Sequence, residues 1–393
     1  MKNKAFLMIS IYTVLVSCNP VTNTKDNKIT WATVAKLPVV AGMQKQLGVA
    51  GVFTGVSNDV LLIAGGSNFA DGAKPWQGGK KLHRDDIYIL KKEAENKFSW
   101  LKPQPAHLKQ NVAYGASVTL PEGVVCAGGE TDKANSSREV FMMQWDASKN
   151  EVLFKEMPSL PIPVANACMA NIGRTIYLIG GESNGKPSAK CFLLDLSSVH
   201  PQWQPLPDLP VAMSHSVAVA QSNGNHSCIY VIGGRSSTPS GISDLHNTTF
   251  CYDPTLKKWL RLKSVGDGEN ITNLSAATGV SHGNADIIVI GGDKGNVFHQ
   301  IETYNAKIEK AQNETEKQKL QNEKLELLNN HQGFSKDVYQ YNTLTDTWKK
   351  IGELPFYGQV TTTAVKWGND IFIPCGEIKP GVRTENVVRG EFK

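Results

Sequence analysis

The sequence predicts an all-β fold, a six-bladed kelch-type β-propeller with a helical insertion in its fifth blade, and three observations carry that prediction. The first is an apolar strand ending in Gly-Gly that recurs as LLIAGG (61–66), VVCAGG (124–129), IYLIGG (176–181), IYVIGG (229–234) and IIVIGG (287–292), with a weaker sixth copy, IFIPCG (371–376). Its first glycines fall at 65, 128, 180, 233 and 291, giving steps of 63, 52, 53 and 58 residues. The second is a downstream aromatic strand (Asp86-Ile87-Tyr88, Phe250-Cys251-Tyr252-Asp253, Val338-Tyr339-Gln340-Tyr341) followed by Trp100, Trp203, Trp259 or Trp348. The third is that the two chain ends complete each other. The last repeat lacks a Trp-bearing outer strand, and ITWATVAKLP (29–38) is such a strand with no repeat before it.

Each element has a physical reason. The β-branched runs before Gly-Gly suit strands buried on both faces. The glycines let the backbone turn where blades crowd together. Tryptophans recurring at one place in the repeat are expected to pack between blades. If the N-terminal strand finishes the sixth blade, two exposed sheet edges disappear at once. The propeller is then expected to run from 29 to 393, growing by blade addition around its axis and not by enlarging one core.

Two segments stand outside this pattern. Residues 1–18 have Lys2 and Lys4, an apolar run, and the ending Leu15-Val16-Ser17-Cys18. They are expected to form a secretory signal of the bacterial lipoprotein type, with Cys18 as the lipidated residue. Residues 19–28 would be a tether, and the protein an exported, periplasmic one held to a membrane by its lipid alone. Residues 300–332 are rich in Glu, Lys, Gln, Asn and Leu and free of Gly and Pro, which favours helix. Ile301, Tyr304, Ile308 and Ala311 fall at helical spacing. This insertion is expected between two strands of the fifth blade, either as a solvated arm or as a cap over one mouth of the channel.

Composition narrows the partners. The net charge is +5 with no concentrated Lys/Arg stripe, so nucleic-acid binding is not expected. The remaining cysteines (Cys126, Cys168, Cys191, Cys228, Cys251, Cys375) show no C-x-x-C spacing and read as small hydrophobes. No His spacing suggests a metal site, and no cofactor is expected.

Functional residues of a propeller gather on loops at one mouth of the axis. The residues after each Gly-Gly are Ser67, Glu130, Glu182, Arg235, Asp293 and, after Cys375-Gly376, Glu377. Their carboxylates around an arginine could bind a polyhydroxylated anion or simply hold loops together. The stretch GEIKPGVRT (376–384) goes further, because a Glu and an Arg flank a Pro-Gly turn. Such a pair suits acid/base work beside an anion clamp, with a loop salt bridge as the alternative.

GELPFYG (352–358), GEIKPGVRT, GVAGVFTGVSNDVLLIAGGSNF (48–69) and AYGASVTLPEGVVCAGGET (113–131) together resemble the N-acetylneuraminate epimerase family, kelch propellers that act as sialic acid mutarotases. The resemblance covers essentially the whole mature chain. It implies that Glu377 is the proton acceptor and that Arg383 contacts the substrate, plausibly its carboxylate. It also implies an isomerase that interconverts α- and β-N-acetylneuraminate by acid/base ring opening and closure. Tyr114, Glu130 and Arg235 are the candidates, by loop position, for the general acid and further substrate contacts. In better-known members the segment resembling 48–131 follows the Gly-Glu-x-Lys-Pro-Gly segment. Here it comes first, so the chain resembles the cyclically permuted mutarotases. The rival readings are a non-catalytic kelch scaffold binding a glycan or protein, and a mutarotase for another sugar.

Overall fold

The computed structural model describes residues 28–39, 45–102 and 107–393. The signal, Cys18 and nearly all of the tether lie outside them. Six four-stranded antiparallel sheets are arranged as blades. In each, the first strand lies nearest the axis and the Gly-Gly strand is second. Blade 1, for example, runs Phe53–Ser57, Val60–Ala64, Ile87–Ala94 and Lys97–Leu101. The first strands of successive blades touch in a closed circuit, from blade 1 round to Val365–Trp367 of blade 6 and back. The Gly-Gly strands are fully buried in blades 1 and 2 and in the sixth-blade copy, and nearly so elsewhere.

Closure joins the chain ends. Ile29–Lys36 pairs antiparallel with Asn386–Phe392 as the outermost strand of blade 6, in register from Ile29 opposite Phe392 to Lys36 opposite Asn386. The core is divided accordingly. There are six apolar clusters, one at each seam between neighbouring blades.

The glycine pairs sit at those seams. Gly65, Gly128, Gly180 and Gly233 have φ between +61° and +69°. A Cβ there would approach the carbonyl oxygens of Val112, Val164, Met213 and Leu274 in the next blade to between 2.1 and 2.6 Å. The second glycine of each pair donates its N–H to that same carbonyl, at 2.8–2.9 Å. Contact with the neighbouring blade's backbone therefore demands glycine here, more than general crowding at the axis.

The tryptophans also span seams. The indole N–H groups of Trp100, Trp203, Trp259 and Trp348 donate to Lys36 O, Pro158 O, Pro207 O and Lys263 O, each at or just past the outer strand of the preceding blade. The fifth-blade insertion is two helices, α1 (Asn296–Lys310) and α2 (Glu314–Asn329), which begin slightly before the sequence pattern suggested. Asn313 caps α2 by accepting the Glu316 N–H at 2.9 Å. The six described cysteines carry free thiols, and burial pushes those of Cys126, Cys168, Cys191 and Cys375 upward.

Candidate active site

A ring of backbone hydrogen bonds floors the mouth on the Gly-Gly side. Gly51, Tyr114, Asn166, His215, Ala276 and Thr361, one residue per blade, all have φ between +51° and +72°. Each donates its N–H to the preceding carbonyl of the ring at 2.7–3.3 Å, and Gly51 closes it onto Thr361. The residue before each ring member bridges to the post-glycine residue of its own blade: Ala50 to Ser67, Ala113 to Glu130, Ala165 to Glu182, Ser214 to Arg235, Ser275 to Asp293 and Val360 to Glu377. The repeat thus aims its variable side chains upward from a rigid annulus.

Above the ring lies a cavity of about 690 Å³. Glu130, Glu182, Arg235, Asp293 and Glu377 line it, with Tyr114, Asn166 and His215 from the ring. The helical insertion covers it, contributing Phe298 and Ile301 from α1, Leu328 from α2, and His331 and Phe334 beyond it. Of the two expectations for the insertion, the cap is the one observed. Glu302 fastens α1 to blade 4 by accepting from Ser243 N and Oγ at 2.8 and 2.7 Å.

Glu377 and Arg383 face each other across a hairpin, Glu377–Lys379 and Val382–Arg383. Glu377 Oε1 accepts the Gly381 N–H at 2.9 Å, while Oε2 lies 3.6 Å from Arg383 Nε. The Arg383 side chain is only 5% exposed and Glu377 19%. Burial raises the Glu377 carboxyl above its ordinary value, and the opposing pull of Arg383 and the Gly381 N–H does not cancel it. Arg383 donates from Nη1 to Ser67 Oγ and from Nη2 to Tyr114 Oη, both at 2.8 Å, and stacks on Phe69. Ser67 Oγ donates in turn to Tyr114 Oη at 2.9 Å. With both lone pairs of that oxygen engaged, its own proton is left to point away from them.

Gly48 explains why two distant stretches form this wall. A Cβ there would lie 2.4 Å from the backbone carbons of Arg383 and Thr384. The stretches 48–69 and 376–384 therefore pack backbone to backbone across the junction of blades 6 and 1.

Across the mouth, Arg235 is placed differently. Its Nη2 lies 3.2 Å from His215 Nε2, and its guanidinium stacks on Phe298. His215 Nδ1 lies 2.8 Å from Ser214 Oγ, which donates to Glu182 Oε1 at 2.7 Å. Asn166 Nδ2 donates to the other oxygen of Glu182 at 3.2 Å. His215 is held neutral, its value well below the ordinary one, by burial and by the Arg235 charge. Glu130 is tied to Lys81 and His83, whose hydrogen bonds outweigh burial and keep it ionised.

A family model described as N-acetylneuraminate epimerase matches residues 17–152 and 157–393. The chain belongs to the N-acetylneuraminate epimerase family. Among relatives bearing that name, one from Haemophilus influenzae strain PittEE is 26% identical over 235 residues, 60% of this chain and 59% of the relative. One from Vibrio cholerae serotype O1 is 34% identical over 131 residues, 31% of this chain and 32% of the relative. One from Salmonella enteritidis PT4 is 26% identical over 236 residues, 59% of this chain and 57% of the relative. The chain thus spans less than two thirds of the length of these relatives.

Within this N-acetylneuraminate epimerase fold, Glu377, Arg235, Glu130 and Tyr114 all face the one cavity, and Arg383 sits just behind it. Reading the sequence missed Asn166 and His215. Spacing signals Asn166 alone: ring residues precede the post-glycine residue by 16 positions in blades 1, 2, 3 and 6, but His215 precedes Arg235 by 20.

Proposed function

We propose that this protein interconverts the anomers of N-acetylneuraminate, with Glu377 as the general base. The observation that carries the reading is a carboxylate buried in a covered, sugar-sized cavity, raised in basicity, and flanked by an arginine that anchors a second proton-bearing group. Glu377 takes the proton of the anomeric hydroxyl while the Tyr114 hydroxyl donates to the ring oxygen. The C2–O bond opens to the ketone, the carbonyl turns its other face, and closure on that face returns both protons. Of the candidate acids, Glu130 is fixed as an anion by Lys81 and His83. Arg235 is a guanidinium, which keeps its proton. Tyr114 remains. Each positioned group needs to supply only about 10²–10⁴-fold, because the uncatalysed reaction already proceeds.

The signal reading of residues 1–18, with Cys18 lipidated, would place the enzyme in the periplasm.

The test is an NMR time course on α-N-acetylneuraminate freshly released by a sialidase. Wild type should speed the appearance of the β-anomer and Glu377→Gln should not. A wild-type rate equal to background removes the reading for this sugar.

A further inference from the structure

Arg235 is the guanidinium at the mouth whose unpaired donors face the cavity, since it lines that space and Arg383 does not. Arg383 has Ser67, Tyr114 and Glu377 around its nitrogens and Phe69 against its face. Arg235 has a single hydrogen-bonding partner among the described residues, the His215 ring, and no carboxylate within ion-pair distance. Four carboxylates stabilise its charge from further away, namely Glu182, Glu302, Asp293 and Glu377. Each is held elsewhere: Glu182 by Ser214 and Asn166, Glu302 by Ser243, Asp293 by Gly295 N, and Glu377 by Gly381 N. A partly buried guanidinium without a paired anion, set in a covered cavity, has free N–H groups in a planar fork that matches a carboxylate.

The geometry of its partner is equally specific. A guanidinium only donates, so His215 Nε2 must present its lone pair and the ring must carry its proton on Nδ1. That proton goes to Ser214 Oγ, whose own proton goes to Glu182, so the chain of donors runs in one direction from Arg235 to a carboxylate. The His215 backbone is fixed by the ring on both sides, accepting from Ala276 N at 2.8 Å and donating to Asn166 O at 3.0 Å. Its side chain is 8% exposed.

We propose that Arg235 is the seat of the substrate's carboxylate and that His215 is the positioning residue that aims it, so that the site selects keto-acid sugars over neutral ones. The inference rests on the mutarotase reading only for the identity of the sugar. Arg383 then serves Glu377 and Tyr114, not the carboxylate.

The experiment compares N-acetylneuraminate with its methyl ester, which keeps the ring and removes the charge. Binding is read from tryptophan fluorescence, since Trp76 lines the cavity, and turnover from the anomer NMR. Wild type should bind the acid about 10–100-fold tighter than the ester, the scale of hydrogen bonds to a charged group. Arg235→Met should bring that ratio close to one. His215→Phe should raise KM for the acid about tenfold with kcat little changed and leave the ester unaffected. His215→Gln, which can still accept from Arg235, should restore the preference. A merely structural role for His215 would weaken acid and ester alike and would overturn its assignment. An unchanged acid preference in Arg235→Met, or equal binding of both sugars by wild type, overturns the carboxylate seat. If wild type binds acid over ester through Arg235 but turns over neither, the seat stands and the mutarotase reading falls. If it binds neither, both fall.

Discussion

Arg235 and Arg383 face the same mouth from blades 4 and 6, yet their surroundings assign them different work. Arg383 is enclosed on every edge by a hydroxyl, a phenol, a carboxylate and an aromatic face, so it holds other groups in place. Arg235 meets one neutral imidazole and one aromatic face, so its remaining donors are available to a ligand. Charge alone does not separate them. Access to the cavity does, because Arg235 lines it and Arg383 does not.

The sharpest way to break this contrast is at the carboxylate that Arg383 serves. Glu377→Gln keeps the shape and the Gly381 contact but cannot take a proton, and kcat should fall about 10²–10⁴-fold with KM nearly unchanged. Arg383→Met should come next, lowering kcat about 10²-fold because Glu377 and Tyr114 lose their shared anchor at once. Its effect on KM should be small. If Arg383→Met instead raised KM and spared kcat, the roles drawn here for the two arginines would be exchanged. Tyr114→Phe removes the proposed acid alone and leaves Arg383 bonded to Ser67, so a kcat loss at the low end of the Glu377→Gln range, about 10²-fold, is expected by the same assay.

The propeller was legible because its signals are compositional and repeat. Gly-Gly at four seams reports a backbone contact that any side chain would block, and the orphan strand at 29–36 reports the open edge it closes. The Glu377 and Arg383 hairpin was legible as a motif, GEIKPGVRT, with the family resemblance attached. The ring was not. It is defined by a left-handed φ occupied by Gly, Tyr, Asn, His, Ala and Thr, with no shared side chain to mark it. His215 therefore looked like any loop histidine. Nor could sequence foresee that Arg383 would be enclosed, because its partners Ser67, Phe69 and Tyr114 lie in other blades. The insertion was readable as helix from composition, but its seat over the mouth depends on Glu302 meeting Ser243, a contact between blades.

The finest test of the comparison is the pH dependence. Glu377 works as a base only when ionised, so kcat/KM should fall on the acid side with a limb centred above the ordinary glutamate range, where burial places this carboxyl. Arg383 is the largest influence pulling that value down, and Arg235 acts in the same direction more weakly. Residual activity of Arg383→Met should thus show the limb displaced to higher pH, with a smaller displacement in the same direction for Arg235→Met. The same shift has a stability side. A carboxyl whose folded value is raised favours the protonated fold, so its contribution is full below the unfolded value and is lost as pH rises through the folded one. Glu377→Gln escapes that loss. Its melting temperature relative to wild type should therefore increase as pH rises from the ordinary glutamate range upward. A constant difference across that range would mean that Glu377 ionises in the fold as it does in the open chain, and the argument for its basicity would fail.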